Sequence, residues 1–304
     1  MTPDDGGVPP RAPPQTPFYF ERFLTIEAGH FWFAFRRKVA ARVLARLTAG
    51  RRPGYRVLEV GCGIGGMLEP MREACAGGKV FGLDVALAGV AFTRARTRLP
   101  VLQADVTQPP FGVDFDLICL FDVLEHVAED ELVLGRLFGL LASGGSLVLT
   151  VPASPALWSY YDDAVGHHRR YRAAELASKL AAAGFEIEYL TPYMVALMPV
   201  IYLKRWFSGL VARRGRGGRA GWRGRGGREG REGRGGPSSG PTAEELQSLA
   251  LADLAPLPPF VNRLGSLLLA AEPGLIARRR RLPFGSSLLA VARRPGRAPA
   301  SHSP

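Results

Sequence analysis

The chain has 304 residues, 47% hydrophobic and 22% charged, enough apolar material for one large α/β domain or two small ones. Its formal net charge is +12, but Arg213 to Gly236 alone holds nine arginines and two glutamates, so the basicity is local and argues against a nucleic-acid surface spread over the chain. Three cysteines, Cys62, Cys75 and Cys119, have neither paired nor metal-like spacing, which excludes a disulfide scaffold and points to buried thiols in a reducing, cytoplasmic compartment.

Residues 1–17 are rich in Pro and Gly, include Asp4 and Asp5, and lack the apolar centre of a signal peptide; they read as a disordered tail. The folded domain is expected over 18–294, with a second tail over 295–304. Phe18 to Leu47 places Phe20, Phe23, Leu24, Val39, Val43, Leu44 and Leu47 at three- and four-residue spacing, which predicts one helix. Its middle, His30 to Arg37, is aromatic and then basic, the pattern of a core-covering face with solvated arginines.

Val57, Leu58 and Val60 form the apolar run of a strand buried on both faces. Gly61, Gly63, Gly65 and Gly66 follow, then the helix-compatible Met67 to Ala76. Glycines permit the bend and let a ligand lie on bare backbone, with the next helix offering free N–H groups. Glu59, two residues before the first glycine, suits a cationic ligand group and would repel a pyrophosphate. Lys79 to Asp84 is a second buried strand whose terminal acid can accept both hydroxyls of a ribose. Val85 to Arg98 reads as helix and Pro100 to Asp105 as a short third strand.

Leu132 to Leu141 makes a helix stopped by Ser143-Gly144-Gly145, and Ser146 to Val151 another strand. Strands alternating with helices at this spacing imply a parallel, right-handed, doubly wound sheet. Pro152 to Arg172 is irregular and rich in reactive side chains, at the end of the sheet where ligands bind in such folds. Ala173 to Ala183 is a helix ended by Gly184, and Phe185 to Leu190 alternates as a sixth strand. After it come an apolar run, Tyr193 to Leu203, too short to span a bilayer, and a low-complexity Arg/Gly tract over 213–240 that cannot bury enough surface to fold. Thr242 to Leu254 and Phe260 to Ala277 are helix candidates, followed by the basic cluster Arg278 to Arg281. Ser286 to Ala292 is the last strand.

Glu59-Val60-Gly61-Cys62-Gly63-Ile64-Gly65 resembles motif I of the class I S-adenosylmethionine-dependent methyltransferases, acid-x-Gly-x-Gly-x-Gly. Phe115-Asp116-Leu117-Ile118-Cys119-Leu120-Phe121-Asp122-Val123-Leu124-Glu125-His126-Val127 resembles that family's fourth strand and its exit. The resemblance implies a Rossmann-like, seven-stranded sheet in an α/β/α sandwich whose last strand, Ser286 to Ala292, is antiparallel. Residues 193–282 then form an insertion between strands six and seven, not a separate domain. It implies S-adenosylmethionine held by Glu59, Gly61, Cys62, Gly63, Gly65, Asp84, Val85, Asp105, Val106 and Phe121, with Asp105 near the adenine amino group. The His30 to Arg37 segment becomes a lid over the cofactor. With Trp32 and Arg37 from it, the acceptor site would draw on Trp158, Tyr161, Arg169, Arg170 and Tyr171.

An acceptor that must lose a proton needs a base, for which His126, His167 and His168 are the candidates. In some ubiquinone-pathway O-methyltransferases the matching stretch supplies metal ligands, here Asp122, Glu125 and His126; many relatives need none, and no metal is expected. The expected reaction is in-line transfer of a methyl group to a small or lipid-linked acceptor. An NAD(P)-dependent oxidoreductase would explain Gly61, Gly63, Gly66 and Asp84 but leave Glu59 and Asp105 idle. An RNA-binding protein would explain the Arg/Gly tract, yet the tract has one aromatic residue, Trp222, and reads better as a linker. The apolar stretches flanked by Lys204, Arg205 and Arg278 to Arg281 fit either an interfacial helix on anionic lipid at the inner membrane face or packing against the sheet.

Overall fold

The computed structural model describes residues 17–199 and 257–296. The predicted tails beyond these limits, the Arg/Gly tract, Lys204, Arg205 and the Thr242 to Leu254 helix lie outside the described residues.

Seven strands, β1 (Arg56–Val60), β2 (Lys79–Asp84), β3 (Val101–Gln103), β4 (Phe115–Phe121), β5 (Leu141–Pro152), β6 (Glu186–Tyr193) and β7 (Ser287–Arg293), form one sheet. Its order is β3-β2-β1-β4-β5-β7-β6. β1 to β5 pair in parallel, while β7 runs antiparallel between β5 and β6. The seventh strand is therefore where the sequence places it, and the segment after β6 returns to close the sheet.

The helices are α1 (Pro17–Gly29), α2 (Phe31–Thr48), α3 (Leu68–Ala74), α4 (Leu87–Thr97), α5 (Asp130–Leu140), α6 (Tyr160–Val165), α7 (Ala173–Ala182), α8 (Pro259–Leu268) and α9 (Glu272–Ala277). Alternation along each strand sorts side chains to two faces. On β4, Leu117, Cys119 and Phe121 join a core with Val39, Val43 and Leu44 of α2, Leu68 and Met71 of α3 and Val90 of α4. Ile118 and Leu120 join the opposite core with Val133, Leu134 and Leu137 of α5 and Leu176 and Leu180 of α7. Three layers result. Cys62, Cys75 and Cys119 are free thiols buried in the first core.

β5 begins at Leu141 rather than at the expected Ser146, so Ser143-Gly144-Gly145 lies within the strand, where the register shifts between the Phe115–Leu141 and Leu117–Ser146 pairs. Three further boundaries differ from expectation for local reasons. The single helix expected over 18–47 is two, broken at His30, which is extended (φ −99°, ψ 127°) and whose Nδ1 accepts the Trp32 N–H at 3.1 Å. The imidazole thus caps α2 in the manner of an N-cap side chain, a use of histidine that periodicity does not reveal. The helix expected over 260–277 is also two, because Pro273 in the first turn of α9 cannot continue a helix. The 152–172 segment is more ordered than an irregular loop. It holds α6, whose Ser159 and Asp162 form a capping box, and closes on itself through a bridge between Ala153 and Tyr171.

Candidate active site at the carboxyl ends of the strands

The glycine loop leaves β1 through Gly61 (φ +71°) and Gly65 (φ +78°). A Cβ at Gly61 would strike Val123, and one at Gly65 would come within 2.6 Å of Thr93 Cγ2, so both positions need glycine for conformation and for space. The loop is fastened to β2. Gly61 and Cys62 N–H donate to Leu83 O at 2.7 and 3.1 Å, and Gly63 N–H donates to Asp84 Oδ2 at 2.7 Å. From α4, Thr93 Oγ1 donates to Gly63 O at 2.8 Å, and Arg96 Nη2 donates to Ile64 O and Gly65 O at 3.0 and 2.6 Å. The loop's own N–H groups at Gly61, Cys62, Gly63 and Gly65 are thus already bonded, the last to Cys62 O. Cys62 contributes no exposed ligand group either: its thiol is buried and faces Gly82.

What the loop leaves open is acid. Glu59 is 3% exposed, and its Oε2 has no hydrogen-bond partner among the described residues. Burial, with Glu27 and Asp84 nearby, pushes its carboxyl well above the usual range, and Arg36 only partly opposes them. Glu27 of α1 lies against the backbone of Gly66. Asp84 also accepts the Ala86 N–H at 2.9 Å through Oδ1, so each of its oxygens keeps one acceptor position. Beside it Val85 is 67% exposed. Asp105 is exposed and accepts the Thr107 N–H and O–H, both at 2.8 Å, while Val106 and Phe121 are buried next to these strand ends.

Arg36 of α2 is ion-paired with Asp122, the residue after β4, and its guanidinium lies 4.4 Å over the Trp32 ring. Asp122 has φ +54°, accepts from Thr150 Oγ1 at 3.0 Å and donates its N–H to Thr150 O at 3.0 Å. The arginine predicted to be solvated is thus a clamp. Arg37 donates to Glu27 O at 3.1 Å, bracing α2 against α1. Phe33 and Phe35 are buried beneath.

Beyond Asp122 the chain turns through Leu124–His126. Glu125 is fully buried with neither carboxylate oxygen bonded among the described residues, and burial together with Asp122 pushes its carboxyl well up. His167 Nδ1 is 2.9 Å from Asp162 Oδ1, and its Nε2 is 3.9 Å from Glu125 Oε1. The His126 ring meets His167 edge-on with centroids 4.7 Å apart; desolvation and His167 push its imidazole down to about 4. His168 donates its N–H to Glu125 O at 2.8 Å and keeps its side chain exposed. The structure thus brings His126 and His167 together and leaves His168 outside.

Three residues expected at the acceptor are engaged by buried carboxylates. Tyr171 is fully buried and donates to Asp130 Oδ2 at 2.9 Å. Arg169 pairs with Asp130 at 2.7 Å, and Arg170 Nε donates to Asp162 at 2.6 Å. Trp158, half-buried, donates Nε1 to Asp163 at 3.3 Å, and Tyr161 sits half-buried on α6. Asp122, given as a metal ligand by resemblance, is engaged by Arg36 and Thr150. Sequence reasoning missed Glu27, Arg96 and the central role of Asp162. The capping-box spacing of Ser159 and Asp162 was the available signal for the last.

A doubly wound sheet with an antiparallel strand between the fifth and sixth, acids at the tips of β1 and β2 and a glycine loop between them define a Rossmann-like fold. The profile of the methyltransferase-domain family matches residues 32–190, and the chain belongs to that family, with the fold of the class I S-adenosylmethionine-dependent methyltransferases. It is 31% identical over 163 residues to a Mycolicibacterium smegmatis protein named "Probable S-adenosylmethionine-dependent methyltransferase", covering 52% of this chain and 61% of that one. It is 34% identical over 123 residues to the trans-aconitate 2-methyltransferase of Delftia acidovorans, covering 38% and 44%. It is 31% identical over 99 residues to the ubiquinone biosynthesis O-methyltransferase of Nitrobacter winogradskyi, covering 31% and 37%. The matches thus span at most about three fifths of these relatives' length. A chain in the complex between the Haloferax volcanii Trm112 methyltransferase activator and a methyltransferase shares the fold, with a TM-score of 0.54 at 17% identity over 93% of this chain and 96% of that one.

Proposed function

We propose that this protein binds S-adenosylmethionine at the glycine loop and transfers its methyl group to a small or lipid-linked acceptor. The observation that carries the reading is Glu59, a buried carboxylate with a free oxygen beside the loop. Buried acids are stable as anions only when paired, and the ammonium of an aminoacyl cofactor is such a partner. Glu27 and Glu59 beside the loop would disfavour the pyrophosphate of a dinucleotide, and an oxidoreductase would leave Glu59 and Asp105 idle, which weighs against that reading. Glu59 and the loop would hold the amino-acid end, Asp84 and Val85 the ribose, and Asp105 and Val106 the base, with Phe121 packed at the end of β4.

When bound, the cofactor supplies an activated methyl group on a sulfonium. The residues of the chain orient the acceptor at near-attack distance, ~3 Å, and exclude water. The Arg36–Asp122 clamp fixes α2 as one wall, with Trp32 on it, and Trp158 and Tyr161 offer aromatic surface on the other. Glu125, His126 and His167 form the polar end. The relatives' names give the first acceptors to test, a small polycarboxylate and a quinone precursor. Mass spectrometry after incubation with S-adenosylmethionine should show one of them, or a lipid-linked analogue, gaining a methyl group. Reduced nicotinamide formed from NAD with a hydroxy acid, and no methylated product from a broad panel, would overturn the reading.

A second observation favours an acceptor met at a lipid surface. α8 docks on α2 through Asn262 Oδ1, which accepts the Phe31 N–H at 3.0 Å, and through Gly265, packed on the Phe31 ring. Its other face presents Phe260, Leu264, Leu267 and Leu268, 72%, 54%, 65% and 48% exposed among the described residues. Arg263, Arg278, Arg280 and Arg281 are exposed on or after this helix, the charge pattern of an interfacial helix on anionic lipid. No helix among the described residues is long and apolar enough to cross a membrane.

A further inference from the structure

We infer that Glu125 selects the acceptor by taking a hydrogen bond from an N–H or O–H group on it, so that the acceptor brings an amine or a hydroxyl to this end of the cleft and not a free carboxylate. The inference rests on the reading that a methyl acceptor is received here, and deepens it by naming the acceptor's chemistry.

Glu125 lies in the turn Leu124–His126 that follows β4. Backbone bonds hold the turn: the His126 N–H donates to Val123 O at 3.0 Å, and Glu125 O accepts the His168 N–H at 2.8 Å. Leu124 beside it is fully buried in the same core as α5. The Glu125 carboxylate takes no part in this. It is fully buried, and neither oxygen has a partner among the described residues. A buried polar group left unpaired costs stability, so the local fold gives no reason for an acid here. A donor group on the acceptor would supply the missing bond.

His167 does not supply it. Its Nε2 stands 3.9 Å from Glu125 Oε1, beyond hydrogen-bonding distance. Asp162, 2.9 Å from Nδ1, holds the ring there, and is fixed in turn by the Ser159 N–H at 2.8 Å and by Arg170. Burial and Asp122 push the Glu125 carboxyl well up. A positive or hydrogen-bond-donating group reverses such a shift, because it stabilises the anion.

The cations that an anionic acceptor would need are committed elsewhere. Arg36 is paired with Asp122, and Arg37 donates to Glu27 O. Arg169 reaches Asp130 and Ala128 O, and Arg170 reaches Asp162 and Ala153 O. Desolvation and His167 push the His126 imidazole down to about 4, so that ring is uncharged at neutral pH. A carboxylate entering here would meet Asp122, Glu125 and Asp162 and be repelled. An amine or a hydroxyl meets the complementary charge, which is how such sites discriminate.

The test gives the full chain S-adenosylmethionine and two matched aromatic pairs, benzylamine against benzoate and catechol against phthalate, with methylated product read by mass spectrometry. At least one donor member should turn over with a kcat/KM tenfold or more above that of its carboxylate partner. Glu125→Met keeps the bulk and removes the accepting oxygens. It should raise the KM of that donor at least tenfold, change kcat less, and leave S-adenosylhomocysteine binding by calorimetry intact. Should Glu125→Met fail to fold, Glu125→Gln, which keeps the shape and removes the charge, should raise the same KM and decides in its place. Carboxylate members turned over as well as their partners, no turnover of either donor, or a KM unmoved in the folded variants overturns the inference. Absence of S-adenosylhomocysteine binding by the parent protein would instead remove the cofactor reading, and the inference with it.

Discussion

Arg36 on α2 is ion-paired with Asp122 at the end of β4, and the pair joins the amino-terminal helices to the edge of the sheet where the strands end. The guanidinium sits among acids. Asp122, Glu125 and Glu27 all act on it, and it in turn moderates the raised carboxyl of Glu59. One cation therefore acts on both Glu59 and Glu125.

Arg36→Ala should destabilise the fold by about 1.5–3 kcal/mol, the range for hydrogen bonds to charged groups. Arg36→Lys should recover little, since an ammonium cannot both fork onto Asp122 and stack on Trp32. In a urea-denaturation cycle with Asp122→Asn, the two sites should couple by roughly 0.5–3 kcal/mol. Additive effects would show that the pair is incidental.

Glu59→Gln should separate stability from binding. A folded-state carboxyl raised above its unfolded value retains a proton that the unfolded chain has lost, so stability falls as pH rises above about 4.3. Glutamine removes that penalty. The variant without cofactor should melt at or above the parent temperature at pH 7 and still bind S-adenosylhomocysteine at least tenfold more weakly. A large loss of stability would mean that Glu59 has a structural partner instead.

Asp130 gives the opposite pH dependence. Burial disfavours its charge, but hydrogen bonds from Lys179, Tyr171 and Arg169 outweigh burial and hold its carboxyl below the ordinary range. Its folded value is depressed, so its contribution is fully present above the unfolded value of about 3.9 and is lost as pH falls below it. Denaturation of Asp130→Asn should show a clear deficit at pH 7 that narrows by pH 3. A deficit of equal size at both would assign the effect to packing.

The sheet was legible because strand patterns, glycine turns and an acid at each strand tip are local features of the chain. Ser286 to Ala292 needed the family resemblance for its place, and the pairing of β7 with β5 and β6 agrees with it. What the sequence concealed were partnerships across the fold. Arg36 reads as solvated until α2 sets it on Asp122, and Tyr171 reads as acceptor-facing until Asp130 holds it in the core. His30 looks like one more aromatic position on a helix, yet its ring nitrogen ends one helix and starts another. Glu125 and His167 lie some forty residues apart in the sequence, and only the return of the chain past β5 brings them together.

The α8 face makes a prediction of its own. The full chain should float with vesicles containing phosphatidylserine or phosphatidylglycerol at low salt, and release as salt screens the arginines. Phe260→Ser combined with Leu267→Ser should abolish flotation without lowering the melting temperature, because both side chains are exposed. Flotation unaffected by the double substitution would remove α8 from the contact.

The central claim is that the Glu59–glycine-loop–Asp84 site holds S-adenosylmethionine, and calorimetric titration of the purified chain with S-adenosylhomocysteine, beside NAD, tests it most directly. The account predicts one equivalent of S-adenosylhomocysteine bound, no binding of NAD, and a ten- to hundredfold loss in Asp84→Ala, the equivalent of about 1.5–3 kcal/mol in hydrogen bonds. Absence of S-adenosylhomocysteine binding by the folded protein, or binding unchanged in Asp84→Ala, would contradict it.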